Sequence, residues 1–279
     1  MTNQPAIPEN ASIGRTSLVV GDLAEMVSFY RDVVGLTVQT RSADHATLGD
    51  GESPLLELHR DEDAAPRRRT QAGLFHTAFR VPTRAALGAA LDRIRDRWQL
   101  DGASDHYVSE ALYLSDPENN GVEIYVDRPR ADWPRSADGS AEIGTVALDI
   151  TDIAAQSDGS TAVPAGTSVG HMHLEVSDID TARSFYVDTV GLGVQEEMRS
   201  ALFLAAGDYH HHLGLNTWNG RSTPAGGRGL AWYEFLVPDE AALASARERL
   251  EAADISITEL DRGFEISDPD GISIRFHPE

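Results

Sequence analysis

Val169-Gly170-His171-Met172-His173-Leu174-Glu175-Val176-Ser177-Asp178 is a second copy of a stretch met 156 residues earlier, Ile13-Gly14-Arg15-Thr16-Ser17-Leu18-Val19-Val20-Gly21-Asp22. The match continues downstream: Phe29-Tyr30-Arg31-Asp32-Val33-Val34-Gly35-Leu36 returns as Phe185-Tyr186-Val187-Asp188-Thr189-Val190-Gly191-Leu192. A third stretch, Gly73-Leu74-Phe75-His76, returns as Gly229-Leu230-Ala231-Trp232 at the same offset. The repeat therefore divides the 279 residues into four similar units, near 13–60, 73–128, 169–217 and 229–277. Each unit opens with a β-rich run such as Ser17-Leu18-Val19-Val20. A capped helix follows, with Asp22 before Leu23, Met26, Val27 and Tyr30, or Asp178 before Ile179, Ala182, Phe185 and Tyr186. Short strands separated by turns at Asp50-Gly51, Asn119-Asn120-Gly121 and Asp270-Gly271 close each unit. The expected fold class is α+β, built from four βαβββ modules. These divide into an N-terminal pair (11–128), a linker (129–168) and a C-terminal pair (169–279).

One βαβββ module leaves an incomplete curved sheet, so two must join side by side into an incomplete-barrel cup. The opening strands then lie centrally, with alternate residues facing inward. Aligned inward positions carry Arg15, His76, His171 and Trp232 in the four modules. On the closing strand, Gly121-Val122-Glu123 aligns with Gly271-Ile272-Ser273, so Glu123 is expected to have become Ser273. By this reading modules two and three keep two imidazoles and a carboxylate, and modules one and four keep none. Pairing two with three, and one with four, brings His76, Glu123 and His171 into one cup. That donor set, on one face of an octahedral ion, is the ligand set of non-haem Fe(II) oxygenases.

Composition narrows the class. At 41% hydrophobic and 24% charged the chain can bury an ordinary core. Apolar runs such as Ala201–Ala206 are far too short to span a bilayer. The polar, proline-bearing start from Met1 to Asn10 does not read as a signal peptide. The chain has no cysteine, which excludes disulfides, iron–sulfur clusters and thiol catalysis. A cytoplasmic protein and a homo-oligomer are expected. Every basic residue is arginine, and the net charge of −22 disfavours nucleic acid and anionic membrane as partners. It is the charge of a solvated acidic surface or of a protein adapted to a salty cytoplasm.

The chain resembles the vicinal oxygen chelate superfamily (glyoxalase, bleomycin resistance and extradiol dioxygenase proteins), and within it the four-module catechol 2,3-dioxygenases. The resemblance is carried by Ser109-Glu110-Ala111-Leu112-Tyr113-Leu114-Ser115-Asp116-Pro117, Gly121-Val122-Glu123-Ile124-Tyr125, Gly170-His171-Met172-His173-Leu174 and Tyr209-His210-His211-His212-Leu213-Gly214-Leu215-Asn216. It implies Fe(II), or Mn(II), held by His76, His171 and Glu123, with a catechol-type substrate and O2. It departs in order, since the better-known enzymes take all three ligands from the C-terminal half.

The resemblance also places His211 as the acid/base histidine, Tyr113 as a substrate-contacting tyrosine and His106 as a histidine just outside the ligand set. Strand alternation is expected to put His211 on one face and His210 with His212 on the other. His173 shares a strand face with His171. His45, His59 and His277 read as surface or core residues. The loop 60–71 reads as solvated, and the Gly-rich loop 218–228 as a mobile rim. A glyoxalase-type lyase or isomerase usually wants a fourth protein ligand, and no carboxylate stands on the closing strand of module three. A non-catalytic small-molecule binder needs no metal triad. The same fold hosts all three activities, so the site decides.

Overall fold

The computed structural model describes residues 6–136, 139 and 141–279. Four βαβββ modules follow one another. The first runs β1 (Ser12–Val20), α1 (Leu23–Phe29), β2 (Thr37–Arg41), β3 (His45–Gly49) and β4 (Pro54–Arg60). The second runs β5 (Gly73–Arg80), α2 (Arg84–Arg97), β6 (Gly102–Asp105), β7 (Ser109–Ser115) and β8 (Gly121–Asp127). A connecting segment holds β9 (Val146–Ala147) and α3 (Ile150–Ala155). The third module has β10 (Ser168–Glu175), α4 (Ile179–Arg183), β11 (Gly193–Met198), β12 (Ala201–Ala205) and β13 (Leu213–Asn216). The fourth has β14 (Gly229–Val237), α5 (Glu240–Ala252), β15 (Thr258–Glu259), β16 (Phe264–Ser267) and β17 (Ser273–Pro278).

The four module helices start in one way. Asp22, Thr83, Asp178 and Asp239 each accept a hydrogen bond from the backbone N–H three residues on. This satisfies a donor that the first turn otherwise leaves open. In modules one and three the helix widens into a π-type turn and stops at Gly35 (φ 94°) and Gly191 (φ 98°), a conformation that favours glycine.

The strands run in two orders, β15-β16-β17-β14-β1-β4-β3-β2 and β11-β12-β13-β10-β5-β8-β7-β6-β9. Modules one and four thus share one sheet and modules two and three the other, the crossed pairing expected from the imidazoles. The chain also forms two compact units. One comprises the chain up to Thr16, Pro66–Phe75 and His171–Glu279; the other comprises Ser17–Ala65 and His76–Gly170. Residues 129–168 lie in the second of these. There β9 adds to the edge of β6, and α3 packs on α2 at Gly88, where a Cβ would meet the Ile153 carbonyl. The Asp138-Gly139-Ser140 turn lies outside the described residues apart from Gly139, and so do residues 1–5 of the N-terminal stretch.

A tyrosine–aspartate pair recurs in each unit. Tyr30 donates to Asp116 Oδ2 (3.0 Å), and Tyr186 donates to Asp268 Oδ2 (2.8 Å). The other oxygen of each aspartate accepts from backbone N–H groups two and four residues on: Glu118 and Asn120, then Asp270 and Ile272. Burial pushes both carboxyls up to about 6. These turns set the register of the closing strands and correct the expected alignment. Asn120 is the counterpart of Ile272, and Gly121 that of Ser273. The ladders agree: Ala78 pairs with Glu123 in β5–β8 as Glu234 pairs with Arg275 in β14–β17. Arg275, rather than Ser273, therefore stands where Glu123 stands. The glycines of the two sequence motifs occupy different places in the turn.

Candidate metal centre

In the unit that holds modules one and two, β5 and β8 run parallel and bring His76 beside Glu123. His76 Nε2 and Glu123 Oε2 are 2.9 Å apart, and both side chains are buried. Strand alternation explains the pair. Glu123 and Tyr125 lie on the opposite face of β8 from Val122 and Ile124. On β7, Tyr113 lies directly across from Glu123. Burial, and then the Glu123 carboxylate, push the Tyr113 phenol well above its usual value, so it stays protonated.

His106 completes this half. Its Nδ1 is 2.7 Å from the Gly144 carbonyl and its Nε2 is 2.7 Å from the Tyr113 hydroxyl. A carbonyl only accepts, so Nδ1 donates to it, while Nε2 shares a second hydrogen bond with the Tyr113 hydroxyl. Gly144 belongs to the connecting segment. A backbone carbonyl leaves no sequence signal, so its role was invisible in the sequence. At the start of β10, a side chain at Gly170 would run into the Tyr125 hydroxyl at 1.8 Å, which requires glycine just before His171.

In the other unit, His171 is 2% exposed. Its ring centroid lies 4.2 Å from that of His211 and 6.1 Å from that of His210. The Nδ1 atoms of His210 and His211 are 2.8 Å apart, so one of them donates to the other. The three histidines do not sit on a strand: they form the bend before β13, and the expected alternation does not apply. His212 accepts from the backbone N–H of Ala206 at 3.1 Å, a bond that fixes the bend. His173 lies among Phe75, Trp218 and Phe203, at centroid distances of 5.0, 5.2 and 5.8 Å.

The loops 60–71 and 218–228 meet on a buried carboxylate. Glu175 accepts from Arg67 (2.5 Å), Arg221 (2.9 Å) and Asn219 (2.6 Å). The signal was Glu175 itself, an acid at the buried end of β10. Paired with two arginines it is a latch for both loops.

Arg15, the counterpart of His171, is fully engaged. It donates to the buried Glu234 through its guanidinium (2.5 Å) and through its backbone N–H (2.8 Å). Arg275 lies over the Trp232 ring at 4.0 Å. Module one departs from expectation on its closing strand. Val20 O accepts from Asp61 N as Val237 O accepts from Glu279 N. Counting back four residues makes Glu57 the counterpart of Arg275, and hence of Glu123. Module one has therefore kept a carboxylate at that place.

The chain matches, over residues 12–124 and 168–276, the family described as the Glyoxalase/Bleomycin resistance protein/Dioxygenase superfamily, and it belongs to that superfamily. It is a catechol-2,3-dioxygenase-like member. It is 38% identical over 273 residues, 95% of this chain and 96% of the other, to a protein named catechol-2,3-dioxygenase from Bacillus subtilis (strain 168). Among solved structures, a putative dioxygenase from Bacillus subtilis subsp. subtilis str. 168 aligns with a TM-score of 0.62 at 14% identity, covering 96% of this chain and 84% of that one. Glyoxalase I from Zea mays aligns at 0.58 and 13% identity, covering 96% and 92%. At such identities the two structures show the fold, that of the vicinal oxygen chelate proteins. No helix among the described residues is long and apolar enough to cross a membrane.

Proposed function

We propose that the chain is an extradiol ring-cleaving dioxygenase acting on catechol-type diols with O2, and that His76, Glu123 and His171 hold its metal ion. The carrying observation is the donor set, two imidazoles and one carboxylate, all buried, with His76 and Glu123 side by side. The 2.9 Å between His76 Nε2 and Glu123 Oε2 fits the edge between neighbouring ligands of an octahedral ion, about 3.0 Å for bonds of about 2.1 Å. Similarity along nearly the whole chain to a named catechol-2,3-dioxygenase supports the same reading. Fe(II), or Mn(II), bound there supplies Lewis acidity and one-electron chemistry toward a diol and O2.

The protein's own groups then have separate tasks. Tyr113, held neutral, donates a hydrogen bond to a substrate oxygen. His106, 2.7 Å from the Tyr113 hydroxyl, positions that hydroxyl. His211, against the His171 ring, takes a proton from a substrate hydroxyl and returns one as the ring opens. Phe75, Phe203 and Trp218 offer edges and faces to an aromatic substrate.

Anaerobic loading with Fe(II), followed by catechol and air, tests the activity. A yellow ring-fission product is expected; turnover of a methylglyoxal–thiol adduct in its place would make the protein a glyoxalase-type enzyme. Binding of catechol without turnover of either would make it a binding protein. For the residues, Glu123→Ala and His171→Ala should lose the metal, whereas His211→Ala keeps it and turns over slowly. Equal metal retention in all three variants would overturn the ligand assignment.

A further inference from the structure

We propose a second divalent-cation site, on module one, made by His45, Glu57 and His59 and suited to zinc. The three residues come from one hairpin. His45 on β3 pairs directly across from His59 on β4, and Glu57 precedes His59 by two residues on the same face. Both imidazoles turn Nε2 toward the same carboxylate oxygen: His59 Nε2 is 3.2 Å and His45 Nε2 is 3.6 Å from Glu57 Oε2. The two rings stand 4.6 Å apart, centroid to centroid. One ligand atom from each residue falls within 4.8 Å of the other two.

These distances suit an ion held by all three side chains. One imidazole donating to Glu57 would account for the 3.2 Å contact and leave the second ring free to turn to solvent. A four-coordinate ion with bonds of about 2.05 Å has edges of about 3.3 Å, which the observed 3.2 and 3.6 Å bracket. The catalytic pair, at 2.9 Å, is closer to an octahedral edge. Imidazole nitrogen and carboxylate oxygen are zinc's ordinary donors, and three of them leave one position to water. The side chains of His45, Glu57 and His59 are 33%, 14% and 44% exposed, so an ion can enter from solution. A protein of net charge −22 draws cations toward its surface. Glu57 is also the module-one counterpart of Glu123, so the repeat carries a metal-type carboxylate here in a different histidine setting.

The test is zinc stoichiometry on the full-length protein after EDTA treatment, by equilibrium dialysis with Zn(II) alone. The variant His45→Ala/His59→Ala should bind one equivalent fewer than wild type, with an unchanged far-UV spectrum. The same double substitution in a His171→Ala background should again remove one equivalent. That difference does not depend on what His76, Glu123 and His171 do. Equal zinc binding by wild type and the double variant would overturn the proposal. Zinc-soaked wild-type crystals give a readout free of any folding effect of substitution. An anomalous peak within bonding distance of all three side chains supports the site, and zinc peaks only elsewhere refute it.

Discussion

Modules two and three carry His76, Glu123 and His171; modules one and four carry Arg15, Glu57, Trp232 and Arg275 at the matching places. The scaffolds are alike down to the helix caps and the tyrosine–aspartate pairs, so the difference lies in a few inward side chains. In one pair these are imidazoles and a carboxylate, a donor set that could hold an ion. In the other, the Arg15 guanidinium already satisfies the Glu234 carboxylate, and an indole lies under Arg275. A fixed cation on a side chain does there what the proposed metal would do in the first set: it neutralises a buried acid. Duplication thus provided two frames, and guanidinium or imidazole at the position of Arg15 and His171 sets them apart.

The comparison can be broken or sharpened in graded steps. The largest expected effect is loss of both bound iron and turnover in Glu123→Ala, measured by metal analysis and oxygen uptake. Normal turnover would detach chemistry from modules two and three. Tyr113→Phe should keep the iron and lower kcat about 100-fold, since removing a preorganised hydrogen-bond donor costs roughly that much or more. An unchanged kcat would reduce Tyr113 to a packing residue.

The next effect concerns pH. Asp116 and Asp268 titrate at about 6 when folded, because burial penalises their charge, against about 3.9 in an unfolded chain. Each binds a proton more readily when folded. The stability they contribute is therefore fully present below about pH 4 and is lost as the pH rises through 6, on the order of 2–3 kcal/mol per carboxyl. Urea titrations from pH 4 to 7 on wild type, Asp116→Asn and Asp268→Asn should show each substitution shrinking that gain at low pH. Equal pH dependence in all three would show that the carboxyls titrate normally.

Arg15→Ala should destabilise by about 2 kcal/mol, because it leaves Glu234 buried without its main partner. The figure is below the range for a fully buried pair because the Arg15 side chain is 34% exposed. Iron content should not change; a fall would mean that the two module pairs are coupled. The smallest effect is expected from Tyr30→Phe and Tyr186→Phe, about 1–2 kcal/mol each, for one buried hydrogen bond to a carboxyl. A large inequality between them would show that the repeated pair does different work in the two units.

Much of this was readable from residue order, because the repeat supplies its own alignment. An offset of 156 residues aligned Arg15 with His171 and His76 with Trp232, and capping aspartates marked the helix starts. The His210–His212 bend was misread as a strand because a run of three histidines has no period to betray it. Glu123 was matched to Ser273 because glycines align in sequence, whereas the turn is set by hydrogen bonds to Asp116 and Asp268. His45 and His59 looked isolated, since cross-strand pairing joins residues far apart in sequence and depends on hairpin register.

By itself the sequence determined the module, its fourfold recurrence and the residue types able to bind an ion. Those follow from local periodicity and from the chemistry of side chains. Tertiary structure alone decided the closing-strand register, the Gly144 carbonyl that sets the His106 tautomer and the meeting of His45, Glu57 and His59. Each depends on backbone groups or cross-strand neighbours, and these leave no mark in the order of residues along the chain.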